Sequence, residues 1–156
     1  MPPISQSKNQ PITQNTRIEE IYACAKFVRA GLKKYYVDEA VNKHTWSIGR
    51  CREASVNLRE TLRKIGIDSR TWHGMYYGAD DSYASIIALE KSEYLEETED
   101  WDGGWTHWWV LVENIIVDIT ADQFHPEKSE DYEIVITNVG DKSYAWRPTS
   151  EIKNEK

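Results

Sequence analysis

The sequence predicts an α+β fold in which N-terminal helices pack on one face of a mostly antiparallel β-sheet. Three observations predict it. Apolar residues recur at helical spacing in two early segments, then shift to the shorter alternation of strands from Ile67 onward. The later strands are separated by turn signals rather than by further helices. The length of 156 residues suits one domain around one moderate core.

Residues 1–15 are polar and proline-bearing, and read as a loose tail ahead of a domain spanning 16–148. Thr16 with Glu19 forms a capping-box pattern at the start of a first helix, Arg17–Lys34. Its apolar stripe is Ile18, Ile21, Tyr22, Ala25, Val28 and Leu32, with Cys24 on the border as a small buried side chain. A second helix follows Gly49, with Cys51, Ala54, Leu58, Leu62 and Ile65 on one stripe and Gly66 at its end.

Ile67–Gly78 reads as a strand. Residues 78–104 form an acidic insertion whose glycine-rich ends look like joints, and whose middle is weakly helical around Tyr83, Ile86, Ile87 and Tyr94. It reads either as a lid over a site or as a solvated surface excursion. Trp105–Thr120 reads as two strands around a tight turn at Glu113–Asn114. Tyr132–Thr137 and Lys142–Pro148 add further strands, and residues 149–156 form a C-terminal tail.

Composition excludes several classes of function. A net charge of −7 argues against a nucleic-acid groove, which needs clustered Lys and Arg, and favours a neutral or basic partner. Two cysteines make neither a disulfide framework nor a paired metal motif. No apolar run approaches the roughly 20 residues needed to span a bilayer, and the N-terminus lacks a signal-peptide pattern. The expectation is a cytoplasmic protein in a reducing environment, acting on neither membrane nor nucleic acid. Seven tryptophans and nine tyrosines imply a core or cleft built from aromatics that need polar partners.

A thiol reacts as its thiolate, and a helix N-terminus or a neighbouring imidazolium favours that form. Cys51 falls at a helix start. On the strand ending at Val112, His107 shares a face with Trp109 and Leu111, while Trp108, Val110 and Val112 take the other. A two-residue turn sets Trp109 opposite Asp118, so His107 and Asp118 become diagonal neighbours on one face. A carboxylate within the apolar IIVDIT strand is costly unless it is paired. Nucleophile, base and orienter are thereby available as Cys51, His107 and Asp118. Singly, each has a plainer reading: a buried structural cysteine, a core histidine, and a turn-capping aspartate.

The stretches GRCREASVNLRETLRKIGIDSRTWHG and HWWVLVENIIVDITADQF together resemble the core of transglutaminase-like domains in the papain-like cysteine protease superfamily. The matching positions are Gly49 and Cys51, Leu62-Arg63 with Gly66-Ile67, Arg70, His107 with Trp109 and Val110, and Asp118 with Thr120. The close spacing of His107 and Asp118 is similar to that of compact bacterial and phage members. The resemblance implies a papain-like core with the catalytic cysteine at a helix N-terminus and a Cys51–His107–Asp118 triad. It implies a peptidase, deamidase or transamidase working through a cysteine acyl-enzyme on a protein or peptide, with no cofactor.

The backbone N–H of Cys51 is the natural first oxyanion donor, with the Trp46 indole or Gln123 as the second. Trp72, Trp105 and Trp108 are candidates for the cleft wall, or else core aromatics. Two rival readings stand beside the enzyme. One is a catalytically inactive member that binds a peptide or protein. The other is a metal site drawn from His44, His73, His107 and His125 with Asp118 or Asp122, although no closely spaced ligand pair is present.

Overall fold

Among the described residues, two helices pack with a six-stranded antiparallel sheet. The computed structural model describes residues 12–37, 46–80, 82–83, 100–101 and 104–146. His44, the middle of the acidic insertion with Ile86, Ile87 and Tyr94, residues 1–11 of the N-terminal tail and residues 147–156 therefore lie outside the described residues.

Helix α1 runs Ile12–Tyr36. It begins four residues ahead of Thr16, which lies inside the helix rather than at its cap. Thr, Gln and Asn are mediocre helix formers rather than breakers, so the polar stretch before Thr16 extends the helix backward. Ile21, Ala25, Val28 and Leu32 are buried as the 3.6 period requires, whereas Tyr22 points outward at 47% exposure with the Lys26 ammonium over its ring.

Helix α2 runs Cys51–Lys64 and buries Cys51, Ala54, Ser55, Leu58 and Leu62. Its C-terminus closes as a Schellman motif. Gly66 takes φ +84°, its N–H donates to the Arg63 carbonyl, and the Ile67 N–H donates to the Leu62 carbonyl. Ile67 then packs in the same core as Leu62, while Ile65 at the cap is exposed. Truncating Leu58 or Leu62 to Ala at these fully buried positions costs about 2–5 kcal/mol.

The strands are β1 (Arg70–Tyr76), β2 (Asp100–Trp101), β3 (Gly104–Val112), β4 (Ile115–Asp118), β5 (Val135–Asn138) and β6 (Tyr144–Ala145). Their order is β5-β4-β3-β1-β6, with β2 folded back on β3. Strand β1 starts later than Ile67, because Ile67 completes the helix cap and Ser69 is tied back to α2 through Arg59 and Arg63. Strand β5 likewise starts after Tyr132, which ends a 3₁₀ turn (Ser129–Tyr132) and stacks on His125. The β3–β4 turn has two residues, Glu113 and Asn114, with Val112 facing Ile115. Glu113 accepts φ 53° to make that reversal.

An apolar core lies on each face of the sheet. The helices cover one face, where Val110, Val112, Ile115 and Val117 meet the α1 and α2 stripes. Trp109, Leu111 and Ile116 point the other way, into a second core with Ile48, Tyr76, Tyr83, Phe124 and Tyr144. Trp46 belongs to the helix-side core and Ile48 to the opposite one. The turn between them thus brings α2 in at the boundary of the two cores. No helix among the described residues is long and apolar enough to cross a membrane.

Candidate functional site

The start of α2 is held in place by the 3₁₀ turn Ala121–Phe124, which follows Asp118 closely in the chain. Ser47 Oγ donates to Asp122 Oδ1 at 2.9 Å, and the Gly49 N–H points to Gln123 Oε1 at 3.4 Å. Gly49 sits at φ +77°, a left-handed conformation that favours glycine and swings the chain into the helix. No side chain caps α2 at Arg50, so the first-turn N–H groups keep their affinity for negative charge. Cys51 is the first helical residue and is fully buried.

Hairpin register sets the second half of the site. Val110 faces Val117, so Trp109 and Asp118 come next in the ladder and His107 lies diagonal to Asp118. His107 Nε2 and Asp118 Oδ2 are 2.7 Å apart, with both side chains at 0% exposure. The other carboxylate oxygen, Oδ1, accepts the Thr120 N–H at 3.0 Å. Burial alone would push His107 toward the neutral ring. The Asp118 carboxylate outweighs it, with a smaller contribution from Cys51, and raises the imidazole pKa to about 10. With Nε2 committed to Asp118, Nδ1 is the ring nitrogen left without a formed hydrogen bond, and the Cys51 sulfur stands close enough to favour the ring's protonation.

One participant was not identified from the sequence. Tyr144, on β6, donates its hydroxyl to Asp118 Oδ2 at 2.7 Å, the same oxygen that His107 engages. The only sequence signal for it is that a buried tyrosine needs a polar partner. A second relay lies nearby: Tyr76 donates to His125 Nε2 at 2.6 Å, and His125 Nδ1 meets Asp80 Oδ1 at 3.0 Å. Burial holds His125 below its ordinary pKa, against the pull of Asp80. Tyr132 lies flat on the His125 ring, with centroids 3.5 Å apart.

The remaining candidates separate by position. Trp46 packs in the helix-side core with the Arg29 guanidinium over its ring, 4.9 Å from the centroid. Gln123 donates through Nε2 to the Thr120 carbonyl at 2.9 Å while its oxygen faces Gly49, so it joins the turn to the backbone just ahead of Cys51. Trp72 and Trp105 share the His107 face, meeting Trp146 and Tyr83 edge-on. Trp108 stands on the opposite face, stacked on His73 at 4.4 Å and beneath Arg52.

The site is closed. Cys51 and His107 have no exposed surface, and the Phe124 ring sits edge-on to His107 with centroids 4.8 Å apart. The indole N–H groups of Trp72 and Trp109 are also buried without a partner among the described residues. His107 and Asp118 are committed to each other, and no group of three or more His, Cys, Asp or Glu among the described residues could hold a metal ion.

Compared with protein-family models, curated proteins and solved structures, the chain matches none of them.

Proposed function

We propose that the protein is a thiol-dependent hydrolase or acyltransferase with Cys51 as nucleophile, His107 as acid–base and Asp118 as orienter. The observation that carries this reading is the arrangement of the His107 ring. Asp118 fixes one nitrogen at 2.7 Å, while the other is unpartnered with the Cys51 sulfur nearby. A protonated ring beside a sulfur at an uncapped helix start favours the thiolate–imidazolium pair. The motifs around Cys51, His107 and Asp118 support a transglutaminase-like relationship.

In this mechanism the Cys51 thiolate attacks the carbonyl carbon of a peptide bond or a Gln or Asn carboxamide. The C=O π pair moves onto oxygen, which the Cys51 N–H stabilises. The His107 Nδ1 proton passes to the departing nitrogen as the C–N bond breaks, leaving a thioester and releasing an amine or ammonia. Water or an amine then attacks the thioester, gives its proton to Nδ1, and the C–S bond breaks to restore the thiolate. The substrate is a protein or peptide, and the acidic surface favours a neutral or basic one. No step requires a cofactor, and a reducing compartment such as the cytoplasm would keep the thiol active.

The test incubates candidate proteins with wild type and Cys51→Ala and reads the products by mass spectrometry. A new terminus identifies a peptidase, conversion of carboxamide to carboxylate a deamidase, and an added amine a transamidase. An iodoacetamide-inert Cys51 in the folded protein counts decisively against the enzyme.

The complete burial of Cys51 favours a second reading, an inactive transglutaminase-like domain that binds a peptide or protein. Partner binding that Cys51→Ala leaves untouched, together with an inert thiol, would establish it.

A further inference from the structure

The Asp118 carboxylate receives three donors: the Thr120 N–H on Oδ1, and both the His107 ring and the Tyr144 hydroxyl on Oδ2. Sharing one oxygen between two donors is informative. Each donor withdraws negative charge from Oδ2 and weakens its hold on the other.

Tyr144 is held for this contact by its own local structure. Asp141 accepts the Ser143 N–H through Oδ1 and the Thr137 hydroxyl through Oδ2, and its carbonyl accepts the Tyr144 N–H. Strand β6 then pairs with Met75 and Tyr76 of β1, and the Tyr144 ring packs edge-on against Trp109 and Tyr76. The phenol is buried beside Asp118, which pushes its pKa well above 10 and keeps it a neutral donor.

We infer that Tyr144 is a positioning residue of the thiol centre, fixing the Asp118 carboxylate and limiting how tightly that carboxylate holds the protonated His107 ring. The inference rests on the thiol-enzyme reading above. In that mechanism His107 must release its proton to the leaving nitrogen, and a carboxylate undiluted by Tyr144 would retain it. The other titratable groups that bear on the trio are Cys51 and His73 beside His107, and Tyr76, Asp122, His125 and Asp141 around Asp118 and Tyr144. None of them donates a hydrogen bond to Asp118.

The test follows the His107 ring by NMR across a pH titration in wild type, in Tyr144→Phe, and in protein carrying 3-fluorotyrosine at position 144. Removing the hydroxyl should move the His107 midpoint upward by about half a pH unit or more. The fluorinated phenol, a stronger donor, should move it downward. Tyr144→Phe keeps the ring and its packing, and near-ultraviolet circular dichroism checks that the fold is retained. If that variant does not fold, the fluorinated protein carries the test alone. A midpoint that stays put, or that moves in the opposite sense, overturns the role of Tyr144. Iodoacetamide labelling of wild-type Cys51 is run alongside. An inert thiol overturns the enzyme reading and this inference with it, whereas a reactive thiol with an unmoved His107 midpoint overturns only the inference.

Discussion

Arg29 of helix α1 and Asp122 of the Ala121–Phe124 turn form a two-pronged buried ion pair, at 3.1 Å and 2.8 Å, between groups separated by most of the domain in sequence. The same guanidinium donates to the Ile119 carbonyl at 2.8 Å, and Ser47 completes the shell of Asp122. Removing one member leaves the other charged and buried. Arg29→Met should therefore destabilise the protein by about 3–5 kcal/mol. Adding Asp122→Leu should recover much of that loss. Urea unfolding of both variants checks the pair, and equal losses in single and double variants would refute the coupling.

The two thiols should differ in a way that exposure alone does not predict. Cys24 is half-buried, and its pKa is pushed upward by burial and by Glu20. Cys51 is fully buried but sits beside His107. Iodoacetamide should label Cys51 at least about 10-fold faster than Cys24 at neutral pH. A bulky maleimide should reverse the order, because it cannot enter the closed site. Peptide mapping after timed labelling distinguishes the two.

Stability should fall on the alkaline side through His107. Its folded pKa of about 10 lies above the ordinary value of 6.5, so the native state binds the proton more tightly. The resulting stabilisation is complete below pH 6.5 and disappears as pH rises from 6.5 to about 10. His125 acts in the opposite sense: burial lowers its pKa, so its contribution is lost as pH falls below 6.5. Comparing wild type with His107→Gln in urea at several pH values isolates the first effect. The difference between them should shrink steadily above pH 6.5.

Gly74 lies opposite His107 on β1, where a Cβ would stand 2.6 Å from Trp109 Cη2 and closer still to the Ala145 carbonyl oxygen. Gly74→Ala should push β6 away from β1, at a cost of about 1–3 kcal/mol. Because β6 carries Tyr144, the His107 titration should shift in the same variant. Unchanged stability with an unchanged titration would show that the site tolerates movement of this edge.

What could be read from the sequence follows the range of the interactions. The Schellman end of α2 needs only Gly66 and its immediate neighbours. The approach of His107 to Asp118 needs only strand alternation and a two-residue turn. Tyr144 reaches Asp118 because β6 pairs with β1 rather than with β5, and no local pattern specifies that choice. Arg29 meeting Asp122 depends on how α1 lies across the sheet, and an arginine between apolar stripe positions has no distinguishing mark. Tyr22 and Ile65 matched the helical stripes by spacing, yet one lies at a stripe edge and the other at a cap, and both face solvent.

The absence of exposed surface at Cys51 and His107 also governs reactivity. A protein or peptide substrate, far larger than a small alkylating reagent, reaches the pair only in molecules whose closed site has opened. If one molecule in about a thousand is open, the rate constant for such a substrate is about a thousandfold below its intrinsic value, corresponding to an opening free energy of roughly 4 kcal/mol. A ligand that binds only the open conformer would recover this factor without altering a single reacting atom.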